Sequence, residues 1–522
     1  MLKKLHGRKL AVCLIGGAMY ALFSAFGWQA EHGGVIWAGG ALLVAALLVW
    51  PIAALLAVLL ERGYTRALRR EKTFRAGRAF AFILACYVPM FCVAFPGSFA
   101  YDVPYQLRQV VTGAYSTHHP LLHTLALGGL LQLGRALGDI NLGAALYTAL
   151  QMALLAGCFA LTCGSIARQS GARAAKRAAV FFALYPLNMV MAVNATKDVL
   201  FGGFFALTLA LLNEIQEKPS RGLALKIAAC GALAVMLRNN MAYAALVWLA
   251  ILTIGLRKAE KRAALAMLLA LAVGLCGNAA LKRATRAESG DMSEMLSWPI
   301  QQLARARLYD EDRLTDEEKE AIDELMPGEA WACYDPTISD PVKFEFDTQV
   351  FRADVKKYVG VWLSVGKKCA GTYLDATMAL TYPFFYPYRE YRVSGYYVQM
   401  GMSDAYDAGW CDFDPPKSRS LFPRALASLS WRFGAKGAMQ IPVVGWLFNM
   451  GVIVWTMLFF ALREMYWGRW RRFGTALLPV LLWGTFLLGP VMAGRYIYPF
   501  VCALPVLAAR PGRSVKEAAR HG

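Results

Sequence analysis

The chain contains no P-loop pattern and no GxGxxG run after a predicted strand, so a soluble nucleotide-binding fold has no support. It has no CxxC pair, which removes the zinc ribbon. Its 11 cysteines are scattered, mostly through apolar blocks, where a thiol packs as a small hydrophobe. Cys333, Cys369 and Cys411 lie in a more polar stretch, and sequence leaves open whether any of them pair. There is no internal repeat and no low-complexity linker. Acidic residues are scarce, 35 against 55 Lys and Arg, for a formal net charge of +20.

That excess of positive charge invites a nucleic-acid partner, but its distribution argues against one. Residues 282–440 hold 24 acidic and 20 basic residues, leaving 11 acidic and 35 basic in the rest. The surplus sits in short loops between apolar blocks. The positive-inside rule produces this pattern, and membrane lipids are then the partner of those loops. No nucleic acid is expected.

Hydrophobic residues make up 57% of the 522, against ~45–50% in soluble proteins. They come in blocks, 34–60 and 141–166 among them, and about 20 apolar residues span a hydrocarbon core. The sequence therefore predicts an all-α polytopic membrane protein. Twelve spans are placed near 10–28, 34–60, 79–95, 141–166, 178–193, 198–213, 223–237, 241–256, 263–281, 441–462, 474–490 and 495–509. With both termini cytoplasmic, the basic segments at 62–78, 168–177, 257–262 and 463–472 and the basic tail all fall inside. Counting the apolar run 120–137 as a span would invert every later loop. It reads instead as an interfacial helix lying in the outer interface or re-entering.

Three parts follow. Residues 1–281 form an N-terminal transmembrane module, with an outer loop and interfacial helix at 96–140. Residues 282–440 form a mostly helical extracytoplasmic domain. Residues 441–522 carry the last spans and a basic cytoplasmic tail. Thr315 and Glu318 make a capping box, 342–380 reads as one long or broken helix, and the tyrosine-rich 382–406 is expected at the membrane surface.

Polar residues beside spans are costly and are functional candidates. On this topology they collect on the outer side: Asp102, Gln106, His118, His119 and His123 in the first outer loop, then Lys197 and Asp198, then Arg238 and Asn239, then Arg495 and Tyr498. Each has a plain structural reading. Asp102 as a solvated carboxylate, His119 as a helix cap, Thr196 as a cap with Asp198 on the helix dipole, and Arg238 and Arg495 as snorkelling anchors are all chemically sound. Acid, imidazole, amine and guanidinium together suit one reaction. A sugar on a polyprenyl phosphate needs a carboxylate base for the acceptor hydroxyl and cations for the departing phosphate.

The succession of motifs resembles the GT-C superfamily of integral membrane glycosyltransferases, and within it an uncharacterised bacterial group of multi-pass proteins. It runs through Pro96-Gly97-Ser98 to Asp102 and Gln106, His118-His119-Pro120 with His123-Thr124, Pro186, and Thr196 to Phe201. It continues through Leu237-Arg238-Asn239, Pro299 to Gln302, Asp340 to Lys343, and Arg495 to Pro499. The resemblance implies a GT-C-like bundle of about 12 transmembrane helices in a bacterial cell membrane. The implied donor is a polyprenyl-phosphate-linked sugar, and the acceptor a glycan or a lipid-linked acceptor. Asp102 then matches the acidic residue of the first loop and becomes the candidate catalytic base. Lys197, Arg238 and Arg495 become phosphate ligands, and His118 and His119 orient substrate. Many members carry two acids in that loop, whereas Asp102 stands alone. A divalent metal, Mg or Mn, therefore remains open. The alternatives are a glycan polymerase or ligase using a polyprenyl diphosphate, a lipid-glycan transporter, and a purely structural or binding membrane protein.

Overall fold

A computed structural model of the chain describes residues 2, 5–33, 37–62, 74–255, 258–390, 392, 397–402, 414–434, 437 and 440–510. Cys411, most of the basic loop at 62–78, and the basic tail beyond 510 lie outside these. Among the described residues the protein is all-helical, with isolated bridges and no strand.

The first half runs through α1 (Arg8–His32), α2 (Ala38–Arg62), α3 (Ala76–Ala94), α4 (Val103–Thr112), α5 (Leu121–Ala136) and α6 (Ile140–Ser170). It continues with α7 (Ala172–Leu184), α8 (Pro186–Ala192), α9 (Lys197–Glu217), α10 (Arg221–Leu237), α11 (Asn239–Gly255) and α12 (Lys258–Thr285). The middle holds α13 (Ser297–Tyr309), α14 (Asp316–Leu325), α15 (Asp340–Lys343), α16 (Thr348–Ala353), α17 (Val355–Lys368) and α18 (Ala370–Thr381). The chain ends with α19 (Pro423–Phe433), α20 (Met450–Tyr466), α21 (Trp470–Leu487) and α22 (Tyr498–Ala508).

Six helices are long and apolar enough to cross a membrane: α1, α2, α3, α6, α9 and, from Lys261, α12. Their outer faces carry exposed leucines at helical spacing, such as Leu142, Leu146, Leu150 and Leu154 on α6. Water would penalise such a stripe, whereas hydrocarbon would not. The helices approach closely where side chains are small. A Cβ at Gly274 of α12 would sit 2.7 Å from Val235 Cβ of α10. One at Gly202 of α9 would sit 3.0 Å from the Tyr498 ring of α22.

The structure differs from the sequence reading in several places. The span expected at 178–193 is two helices of 13 and 7 residues. Pro186 drives Tyr185 into an extended conformation and breaks the run. Helix α20 starts at Met450, and 441–449 holds turns and a short 3-10 helix at Val444–Leu447 rather than α-helix. The stretch 342–380 contains several short helices, not one. The described part of 382–406 is not a surface belt. Tyr382, Tyr388 and Tyr397 are buried in the main helical core. The capping box is formed, with reciprocal bonds between Thr315 and Glu318. Cys333 and Cys369 are both free thiols.

Helix α5 packs on α6, where His123 meets Tyr147 and Gly134 meets Gly143. The polar middle portion has a core of its own around Ile300, Leu303, Ile322, Val342 and Val365. It attaches to the bundle through Trp298, which donates to Leu487 O at 2.7 Å, and through Ser339 N–H, which donates to Pro490 O at 2.9 Å.

Candidate functional site

Four chain breaks meet at one end of the bundle. The first follows α3, where Ser98 pairs with Asn194 and the chain turns through Tyr101 into Asp102 and α4. Tyr101 is a non-glycine residue at φ 54, a conformation that costs about 1–3 kcal/mol and persists only when its surroundings impose it. The imposing contact comes from 397–402. Gln399 donates its N–H to the Tyr101 hydroxyl. Asn194 Nδ2 donates to Gln399 O at 2.9 Å, and Gly401 N–H donates to Ser98 Oγ at 2.9 Å. The second break ends at Thr196, extended, so that Lys197 and Asp198 open α9. The third is Arg238, a single extended residue between α10 and α11. The fourth is the turn Gly494–Ile497, which carries Arg495 ahead of α22.

The side chains of these breaks form one charge cluster. Asp102 Oδ2 lies 3.1 Å from Lys197 Nζ and 3.1 Å from Arg495 Nη1, while Arg495 Nη2 reaches Oδ1 at 3.3 Å. Asp198, fully buried, pairs with Arg238, and its Oδ2 lies 3.9 Å from Arg495 Nε. Arg238 lies 4.3 Å from the Phe486 ring and 4.6 Å from the Tyr496 ring. Arg495 lies 4.5 Å from the Tyr101 ring. Three fixed cations thus face two carboxylates, an excess of one positive charge. Exposure falls from 23% at the Asp102 side chain to 0% at Asp198, so Asp102 stands at the mouth and Asp198 at the floor. Burial pushes the Asp102 carboxyl up, but Arg495 and Lys197 outweigh it and hold it well below the usual carboxylate range.

His119 is buried, with Nδ1 3.7 Å from Asp102 Oδ2, too far for a hydrogen bond. Burial lowers its pKa to about 3, against the pull of Asp102. It is therefore a neutral imidazole, and it caps no helix, since Pro120 holds the N-cap of α5. Three buried polar atoms of this cluster have no hydrogen-bond partner among the described residues: His119 Nδ1, Arg238 Nε and Arg495 Nε. Buried polar atoms are ordinarily paired, so the cluster holds unused bonding capacity.

His123 belongs to a different assembly. Its Nδ1 faces the Gln106 amide at 3.0 Å and its Nε2 faces the Tyr147 hydroxyl at 2.9 Å. Tyr147 donates onward to Gln151 Oε1 at 3.0 Å. Gln151 Nε2 then donates to Ala192 O and Asn194 O, at 3.0 and 2.9 Å. A single tautomer fits this order: Nε2–H donates to Tyr147, and Nδ1 accepts from Gln106. Gln106 and His123 are thus spent on each other. They tie α4 and α5 to the turn that presents Lys197.

Of the residues singled out by sequence, Asp102, His119, Lys197, Asp198, Arg238 and Arg495 come together. His118 is exposed beside them, its ring 4.6 Å from that of His119. Asn239 is exposed at the start of α11. Tyr498 faces the packing between α9 and α22, fully buried, and so is a core residue. Sequence reasoning missed Tyr101, Tyr147, Gln151, Gln399 and Tyr496. Of these, Tyr101, adjacent to Asp102, and Tyr496, adjacent to Arg495, had a signal in the sequence.

The donor set does not fit a divalent metal. Both carboxylates are already held by guanidinium or ammonium groups that would repel Mg or Mn. Among the described residues no group of three or more His, Cys, Asp or Glu converges.

The fold and the cluster define an all-helical protein with helices suited to a membrane and a polar site at one end of the bundle. The chain belongs to DUF6020, a family of unknown function whose family model matches residues 111–521. The match takes in Lys197, Asp198, Arg238 and Arg495 and begins beyond Asp102 and Gln106. No curated protein and no solved structure matches the chain.

Proposed function

We propose that this protein is a GT-C-type membrane glycosyltransferase that moves a sugar from a polyprenyl-phosphate donor to a glycan or lipid-linked acceptor, with inversion. The observation that carries the reading is the contact of Asp102 with Arg495 and Lys197 at the mouth of a net-positive, partly unsatisfied cluster. A phosphate suits it. Guanidinium groups match phosphate oxygens in geometry and stay charged, and a dianion would compete with Asp102 for Arg495 and Lys197.

That competition supplies a catalytic sequence. In the free protein Asp102 is a weak base because two cations hold its charge. A donor phosphate that takes those cations removes the stabilisation, and the basicity of Asp102 rises. The carboxylate then accepts the proton of the incoming hydroxyl as its oxygen attacks the anomeric carbon. Arg495, Lys197 and Arg238 neutralise the charge that grows on the departing phosphate. Neutral His119 beside Asp102 is available to hold a hydroxyl rather than to donate a proton.

The proposed topology has about twelve crossings of a bacterial cell membrane, both termini cytoplasmic, α5 in the interface and 282–440 outside. It is supported by the basic turns at the other end of the bundle. Arg168 pairs with Glu214 and Arg472 with Glu217, at the end of α9 away from Lys197. The 21 residues of α9 rise about 31 Å between the two ends, the thickness of a hydrocarbon core.

The test is turnover in proteoliposomes with polyprenyl-phosphate sugars, followed by release of polyprenyl phosphate. Wild type should turn over with at least one donor. Asp102→Asn should fall by about 10²–10⁴, the usual share of a general base. Full activity in folded Asp102→Asn rejects the assignment.

A further inference from the structure

At the end of α9 away from Lys197, one buried carboxylate is shared by three guanidiniums. Glu464 lies 2.6 Å from Arg463 Nη2, 3.4 Å from Arg469 Nη1 and 4.0 Å from Arg472 Nε. The Glu464 side chain is 4% exposed and that of Arg472 10%. Part of the arrangement is structural. Arg463 donates to Leu507 O at 2.7 Å and to Ala508 O at 3.2 Å, and Arg472 Nη2 donates to Ala509 O at 2.7 Å. The two arginines therefore cap the C-terminus of α22.

The charges do not cancel. Arg463, Arg469, Arg472 and Arg510 stand against Glu464 and Glu217, four cations against two anions. The roughly half negative charge of one helix end removes only part of that excess. The flanking pairs Lys9–Glu61 and Arg168–Glu214 are neutral, and Lys218 beside Glu217 adds a cation. Lost hydration lowers the Arg510 pKa, the Arg469 charge lowers it further, and Glu464 opposes both. Arg472 Nη1 is buried with no hydrogen-bond partner among the described residues. Glu217 Oε1 lies 3.7 Å from it, too far for such a bond. Buried donors are ordinarily paired, so the cluster is short of an acceptor that carries negative charge. Trp467 closes α20 and Trp470, 46% exposed, opens α21. Tryptophan at helix ends sits at the headgroup level of a bilayer, the depth at which lipid phosphates lie.

We infer that this end of the bundle binds the phosphate of an anionic phospholipid headgroup through Arg469, Arg472 and Arg510. Guanidinium groups match phosphate oxygens and stay charged, and one phosphate lowers the excess charge while giving Arg472 Nη1 an acceptor. The inference does not rest on the transferase reading, because the site lies at the opposite end of α9 from Lys197. The Asp102→Asn protein should bind the lipid as wild type does, so failure here and failure at Asp102 are separable.

The experiment is native mass spectrometry of the full-length protein in a neutral detergent, titrated with short-chain phosphatidylglycerol or zwitterionic phosphatidylcholine, with inorganic phosphate as competitor. The first phosphatidylglycerol should bind at least about tenfold more tightly than phosphatidylcholine, as one charge-assisted hydrogen bond provides. Arg510→Gln, at an exposed position, should weaken it about twofold to fivefold, the range for an exposed ion pair. Arg469→Gln with Arg510→Gln should erase the preference, with helical content unchanged. Lys176→Gln with Arg177→Gln removes the same charge from exposed positions on α7 and should leave the preference intact. The proposal is overturned if wild type shows no preference, if the α7 control loses it equally, or if neither arginine variant changes it. It is also overturned if inorganic phosphate competes as strongly as phosphatidylglycerol through the same arginines, which would mark a soluble phosphate ligand.

Discussion

Asp198→Asn tests the floor of the charge cluster. Asp198 has no exposure, pairs with Arg238, and lies within 3.9 Å of Arg495 Nε. Neutralising it leaves the Arg238 guanidinium buried without its carboxylate, against the Phe486 and Tyr496 rings at 4.3 and 4.6 Å, contacts that wild type already has. Stranding one member of a buried pair costs about 3–5 kcal/mol, and the hydrogen bond that the Asn oxygen can still accept from Arg238 returns about 1 kcal/mol. A net loss of about 2–4 kcal/mol follows. Equilibrium unfolding by SDS titration in mixed micelles at neutral pH measures it. The double substitution Asp198→Leu with Arg238→Met removes both charges. It should recover most of that stability, since apolar replacement of a buried pair is often neutral or better. The recovered protein should still bind phosphate more weakly than wild type, having lost a cation. A change below about 0.5 kcal/mol in Asp198→Asn, or a double variant no more stable than the sum of its singles, would refute the reasoning.

Three further outcomes follow from the same geometry. His119 and His123 are both held by burial at about 3, below the ~6.5 of an unfolded histidine. Between pH 6.5 and 3 the unfolded chain therefore binds protons that the folded chain refuses, and stability falls as pH falls. The slope should approach about 2.7 kcal/mol per pH unit near pH 4–5 for two histidines, and unfolding measured at pH 7.5, 6 and 5 checks it. Tyr147→Phe leaves buried His123 Nε2 and Gln151 Oε1 unpaired and should cost about 2–4 kcal/mol by the same unfolding assay. Arg495→Lys keeps the charge but loses the fork onto Asp102, so KM for the lipid donor should rise more than tenfold, measured by steady-state turnover.

The positions of the helices were legible because long apolar blocks and basic turns are properties of contiguous sequence. Most expected spans have a helix at their centre, α6 and α9 most clearly. The break at Tyr185-Pro186 is marked in the sequence only by the proline, within apolar composition that continues on both sides of it. The charge cluster was legible because an acid, an amine and two arginines at helix ends are conspicuous in an apolar chain. What the sequence concealed was who partners whom. His123 looked like a ligand, yet its partners Gln106 and Tyr147 lie 17 and 24 residues away. Gln399 reaches Tyr101 across 298 residues, and no local pattern announces such a contact. Tyr498 shares its motif with Arg495, but a helical turn sends it to the opposite environment.

The most direct test is the affinity of Asp102→Asn for polyprenyl phosphate, set beside its turnover. Asp102 competes with the donor phosphate for Arg495 and Lys197, so removing its charge raises the excess positive charge of the cluster from one to two. The account predicts tighter binding of polyprenyl phosphate than in wild type, together with turnover reduced by about 10²–10⁴. Weaker binding in a folded Asp102→Asn protein would contradict it, because Asp102 would then be organising the cations rather than competing for them.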